Sequence, residues 1–361
     1  MDDPLMDGQE LEAIPLETTR LQLGPVPGAV REGWGVHGVI SLASGDLHVA
    51  AALVRLTRRG VDGSMILTDV LSATTDERFR QVLFTPGLVS LEAQAVEEDI
   101  DARLPGWVPG LKRMALKRHA RDVDGLPARA QGVAIDQTGV RLAAAPFAVS
   151  GAGVLFAHDH GRHAMRITLP MGAGRALEGE LALPEGALST TMQGGTAQTA
   201  PALTLAGKVI GRAVGGQLWF DRVWGGRDAA PGPIGGERFA VTLGATWHLL
   251  LTRAEGETEG QAVLFEAGEP VDLPSGFRAE AAESWTSPAT GRRYPVGWTL
   301  SVPDLELTAR LTTQTPDQEI ALPGTWPVWH GVTVLEGDLS GHPMAGHARV
   351  TQRGTPGRAR R

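Results

Sequence analysis

Cysteine is absent from all 361 residues, which excludes disulfides, thiolate metal sites and a cysteine nucleophile. Lysine is nearly absent, with 3 residues against 30 arginines, and tyrosine occurs once, as Tyr294. No uncharged apolar run reaches the roughly 18 residues that a membrane-spanning helix needs. No glycine-rich loop follows a strand and opens a helix, so nucleotide binding finds no support. A Gly-x-Ser-x-Gly elbow is also missing, which removes the usual hydrolase reading. With a net charge of -8 and scattered basic residues, no stripe for a phosphate backbone is present, and no nucleic-acid partner is predicted.

What remains is 42% hydrophobic and 20% charged, with 47 glycines and 24 prolines. That composition fits a soluble, turn-rich, all-β chain long enough for two domains. Met1-Asp2-Asp3-Pro4 is acidic and no apolar run of roughly 7–15 residues follows it early in the chain, so no secretory signal is predicted and the default location is cytoplasmic. Peripheral membrane contact stays an open alternative, and oligomeric state is not legible.

Trp34–Ile40 and Leu47–Leu56 are strand-like and are broken by Gly45-Asp46 and by Gly60-Val61-Asp62-Gly63, the spacing of antiparallel hairpins. Short strands continue through Val133–Ile135, Val140–Ala143, Val154–Ala157, Ala164–Leu169, Leu177–Leu183 and Ala202–Leu205. They resume with Phe239–Leu243, Trp247–Thr252, Ala262–Phe265, Trp298–Val302, Leu305–Leu311 and Val332–Glu336. The exception is residues 88–121. There Leu91, Ala95, Ile100 and Leu104 recur at helical intervals, and Pro105-Gly106 stops the pattern, which predicts a short helix. The basic residues that follow, Lys112, Arg113, Lys117, Arg118, His119 and Arg121, either pair with the acidic run before them or face an anionic surface. His158-Asp159-His160-Gly161-Arg162-His163 looks like a metal cluster, yet it lies between two strands where a hairpin tip belongs, so no metal and no cofactor is predicted.

The most informative stretch is Gln217-Leu218-Trp219-Phe220-Asp221-Arg222-Val223-Trp224-Gly225-Gly226, an apolar run with one carboxylate between two tryptophans. Burying an ionised carboxylate is costly, so Asp221 is either hydrogen-bonded or paired for structure, or held for proton chemistry. On a strand Trp219 and Asp221 share a face.

Four segments, in order, resemble the AttH-like, lipocalin-like family that includes hydroxyneurosporene synthase, a carotenoid 1,2-hydratase. They are Glu32-Gly33-Trp34-Gly35-Val36-His37-Gly38; Lys208 to Gly225, ending Trp219-Phe220-Asp221-Arg222-Val223-Trp224-Gly225; Trp285 to Trp298, with Tyr294-Pro295 and then Asp317-Gln318-Glu319; and Val328-Trp329-His330-Gly331. Gly33 and Gly35 stand where the family shows aromatics, Trp219 where the hydratases show tyrosine, and His330 where a glutamate is usual. The hydratases place a histidine upstream of the central aspartate; no histidine lies between His163 and His248.

The resemblance implies an all-β fold of two packed lipocalin-like antiparallel barrels with a short helical insertion in the first. The expected boundaries are an entry segment 1–30, a first barrel 31–205, a linking signature 206–228, a second barrel 229–352 and a disordered tail 353–361. It further implies a lyase adding water across the terminal double bond of an acyclic carotenoid or other isoprenoid. The alternatives are a non-catalytic binder of an apolar molecule, such as a lipid, or an isomerase or cyclase on the same scaffold. In the lyase reading a protonated Asp221 is the acid and Trp219 and Trp224 stabilise the cation by their ring faces, while Trp34, His37, Trp247, Trp298, Trp329 and His330 line the substrate site.

Overall fold

The structure is a computed structural model that describes residues 17–75, 77–103, 109–192, 194–226, 236–272, 274, 276–321 and 327–355. Leu104, the helix stop at Pro105-Gly106, residues 1–16 and the tail beyond residue 355 lie outside the described residues.

Alternating apolar residues fold the first part of the chain into one 14-stranded sheet. Through hydrogen-bonded neighbours it runs from Val133–Ile135 through Arg78–Phe84, Val61–Ser72, Gly45–Arg58, Arg31–Leu42, Arg212–Gly225, Gly195–Val209, Ala176–Ala182, Ala164–Pro170, Val154–Asp159 and Phe147–Gly151 to Arg141–Ala144. Ala187–Met192 and Glu17–Thr19 add to it beside Gly195–Val209. The sheet curls, because a single core holds Val49, Leu53 and Ile66 from one end and Phe147, Val149 and Phe156 from the other. Of residues 206–228, expected to link two barrels, 206–209 finish the strand Gly195–Val209 and 212–225 form Arg212–Gly225 in the middle of this sheet.

The second part closes on itself. Eight strands pair in a ring: Trp247–Arg253, Glu237–Leu243, His342–Arg353, Val328–Leu339, Leu307–Thr312, Arg293–Val302, Phe277–Thr286 and Glu259–Glu266, which pairs again with Trp247–Arg253. The architecture is therefore mostly β, with one closed eight-stranded barrel and one larger curled sheet. The ring is packed solid along its axis by Phe239, Phe277, Tyr294, Trp298 and Trp329, each buried. Large aromatic side chains fill an eight-stranded barrel of this size.

The insertion is longer than the single short helix expected. Helix α1 spans Pro86–Arg103, α2 Pro109–Asp124 and α3 Leu126–Arg129. Val54, Leu56, Met65 and Leu67 point away from the first core and would otherwise be wet; Leu88 and Leu91 of α1, with Val123 and Leu126, cover them. The basic run lies on α2, where Lys112 reaches Asp101 at 2.7 Å and Glu97 at 2.8 Å, so for that residue the pairing alternative holds. His160 to His163 form the tip of the hairpin between Val154–Asp159 and Ala164–Pro170.

Candidate active site between the sheet and the barrel

Strand alternation builds the site from both sides. On Arg212–Gly225, Leu218 and Phe220 enter the first core, so Trp219 and Asp221 face the other way. On Arg31–Leu42, Trp34, Val36 and Ile40 are inward and His37 is outward, directly across from Trp219 in the register. The barrel mirrors this: Phe239, Val241, Ala348, Val350 and Trp329 fill it, which leaves Arg238, Thr242, His347, Arg349 and His330 on its outer wall. The two outer walls meet, burying Arg238, Thr242 and Arg349 between them and leaving His330 and His347 half-buried.

Asp221 is held at this seam by residues from both halves. Thr199 Oγ1 donates to Asp221 Oδ1 at 2.8 Å, and Arg238 Nη2, from the barrel, donates to the same oxygen at 2.7 Å. His37 Nε2 lies 3.4 Å from Oδ2, close to it but without a formed hydrogen bond. Burial alone would raise the Asp221 pKa, but the Arg238 charge, together with His37 and Thr199, outweighs it and holds the carboxyl at about 2. Asp221 is thus ionised at neutral pH. This corrects the expectation of a protonated acid, and the physical reason is Arg238, which desolvation cannot overcome.

His37 is neutral. Burial lowers it to about 4, against the pull of Asp221 and with the help of Arg238 and Arg349. Trp219 stacks on it, ring centroids 5.9 Å apart and 12° from parallel, and donates its Nε1–H to Thr242 Oγ1 at 3.1 Å. His330 meets His37 edge-on at 6.2 Å, with its Nδ1 2.8 Å from Thr351 Oγ1. Beside them lies a small cavity lined by His37, Gly38, His48, Trp219, His347 and Arg349, with about 10 Å³ of room for the centre of a water molecule. That admits about one ordered water.

Of the residues singled out from sequence, the fold brings together Asp221, Trp219, His37 and His330. Trp224 is elsewhere: it shares the opposite strand face with Arg222, whose guanidinium lies 4.1 Å from the Trp34 ring centroid and 5.4 Å from that of Trp224. Arg222 also donates to Glu32 Oε1 at 2.6 Å, so Trp34 and Trp224 frame a buried ion pair rather than a substrate. Trp298 and Trp329 pack within the closed barrel, 5.9 Å apart. Trp247 sits at a strand start and is 37% exposed. His37 comes to Asp221 across the sheet, from the neighbouring strand Arg31–Leu42. Sequence reasoning missed Arg238, Arg349, His48 and His347.

The fold and the seam define a class: a two-part, lipocalin-like β protein with a buried polar site between its parts. Residues 185–348 match the AttH-like family model, so the chain carries an AttH-like segment that spans the last three strands, in chain order, of the sheet and most of the barrel. Among solved structures, a Nitrosomonas europaea protein described as an AttH is 15% identical, with a TM-score of 0.58 over 93% of this chain and 98% of that one. Kievitone hydratase from Nectria haematococca (14% identity, TM-score 0.48, 90% and 89% covered) and CghA with Sch210972 (11%, 0.47, 94% and 99%) are also similar. No curated protein matches the chain.

Proposed function

We propose that the chain is an acid–base enzyme of the lyase or isomerase type, working on a small molecule at the seam, with His37 as base and ionised Asp221 orienting it. The observation that supports this most directly is a neutral imidazole lining a water-sized cavity with a carboxylate 3.4 Å from its Nε2. A carboxylate on that side favours the tautomer with its proton on Nε2 and leaves the Nδ1 lone pair as the base. At 3.4 Å the two groups are within reach of the hydrogen bond that forms as such contacts tighten on substrate binding. In a hydration, His37 takes a proton from water as the oxygen bonds to the β carbon of a carbonyl-conjugated double bond. The electron pair moves to the enolate, and the imidazolium returns the proton to the α carbon.

The carotenoid form of this reading asks for a protonated Asp221 and an elongated oily cavity. Ionisation of Asp221 and the filling of the barrel axis by Trp298 and Trp329 favour an electron-poor substrate instead. The test is incubation with acyclic carotenoids and with α,β-unsaturated carbonyl compounds in heavy-oxygen water, read by mass spectrometry. Labelled water should enter the carbonyl compounds and not the carotenoids, and Asp221→Asn should lower the rate by about 10²-fold or more. No incorporation into any carbonyl compound, or a folded Asp221→Asn with full rate, defeats the assignment. In that event the Asp221–Arg238 pair serves to tie sheet to barrel.

A further inference from the structure

Every buried carboxylate at the seam is already committed. Asp221 carries Arg238 at 2.7 Å. Asp69 carries two arginines: Arg78 on both oxygens, at 2.9 and 3.1 Å, and Arg80 at 3.2 Å. Arg349 is left over. It is 4% exposed and lines the cavity, and its hydrogen bonds go only to neutral backbone oxygens, His330 O and Val49 O, both at 3.3 Å. Among the described residues no carboxylate lies within 4 Å of its guanidinium. The imidazoles around it, His37, His48, His330 and His347, are kept neutral, in part by the Arg349 charge itself, and offer no negative charge to offset it.

Asp69 attracts the Arg349 guanidinium, but Arg78 and Arg80 share that carboxylate and oppose it, so Arg349 has no counter-ion of its own, which is costly for a buried charge. The group remains cationic all the same: burial lowers its pKa only to about 10. We infer that Arg349 is the binding site for an anionic head group of the ligand, a carboxylate or the enolate oxygen of a conjugated carbonyl compound, seated in the cavity between His37, His347 and Trp219. Two features select that chemistry: the cavity has room for about one water-sized group, which one carboxylate oxygen fills and a phosphate exceeds, and a planar guanidinium presents paired N–H donors that match a carboxylate. The inference rests on the reading of this cavity as the ligand site and specifies what it takes.

The probe is sodium formate, compared with its neutral analogue formamide and with a bulky sulfonate buffer at equal ionic strength. Formate should raise the Tm of the wild type by a few degrees in a saturable way and change the fluorescence of Trp219, while formamide and the sulfonate do neither. Arg349→Met should lose the formate response and, without formate, melt no lower than wild type, because the uncompensated charge has gone. Arg349→Lys, which keeps the charge without the fork, should bind formate about tenfold more weakly. Equal effects of formate and formamide on the wild type overturn the proposal, whatever the variants do; so does an undiminished formate response in Arg349→Met. Asp221→Asn should keep the formate response while losing turnover, so a failure of the base pair and a failure of the anion site are told apart.

Discussion

A carboxylate in an oily strand has two escapes, protonation or a cation, and at Asp221 the cation comes from another part of the chain. Arg238 lies 17 residues downstream, across the seam, and its Nη2 sits 2.7 Å from Asp221 Oδ1. The pair does not have to contribute net stability to matter. Replacing both partners by well-packed apolar residues is often neutral, whereas removing one strands the other, at about 3–5 kcal/mol. Asp221→Asn keeps the shape and an acceptor for Thr199, so its cost should fall at the lower end, about 3 kcal/mol. Asp221→Leu combined with Arg238→Met should recover most of what Asp221→Leu alone loses, as measured by urea unfolding. If the double variant is no better than the sum of the two singles, the groups are not coupled and the geometry described here is not the one that stabilises the fold.

The central strand Arg212–Gly225 shows why sequence reading went as far as it did. Its apolar inward set and the hairpin spacing made the antiparallel sheets legible, and period-two alternation placed Trp219 and Asp221 on one face. Alternation cannot say what that face meets. Along His347-Ala348-Arg349-Val350 polar and apolar residues alternate, and the polar side packs against the first sheet, with Arg349 buried on Val49 O and His347 half-buried. Arg238 and Arg349 were hidden for that reason. Trp298 and Trp329 show the converse, since a tryptophan that fills a barrel and one that lines a pocket carry the same sequence signal. Helix α2 was missed because its composition is strongly polar and basic, and its Leu111 and Met114 are exposed rather than part of the core. The docking of α1 depends on a feature equally silent in sequence: a Cβ on Gly63 would lie 2.6 Å from Leu88 Cα. Gly63→Ala should therefore push α1 off the sheet at a cost of about 1–3 kcal/mol. Hydrogen exchange should speed up in α1 and along Val61–Ser72 while the closed barrel keeps its protection; uniform loss across both parts would show that the helix is not an independent layer.

At the scale of the molecule, the seam is a store of neutral histidine, and this fixes how the protein responds to acid. Burial lowers His37, His48 and His248 to about 4 and His347 to about 3, from an ordinary value of 6.5, and it takes His330 well below that value. Each has a folded pKa below its unfolded one. The stability linked to them is complete above pH 6.5, where both states are neutral, and it is lost as pH falls toward 4, because the unfolded chain takes up protons that the folded seam refuses. Asp221 follows the same sign lower down, losing its contribution between its ordinary 3.8 and about 2. A depression of one pKa unit is worth about 1.4 kcal/mol, so several such histidines together approach the whole stability of a typical domain before pH 4 is reached. The expectation is acid unfolding, or parting of sheet from barrel, with a midpoint between about pH 4 and 6, and a steep rise of stability with pH below 6.5 that flattens above it. His48 and His347, whose rings approach to 5.6 Å, offer the cleanest check. Replacing both with glutamine should lower the number of protons taken up on unfolding near pH 5 by about two, seen as a shallower dependence of unfolding free energy on pH. A wild-type stability that stays flat from pH 7 to 5 would mean that these rings are solvated and charged, and that the seam is open rather than closed.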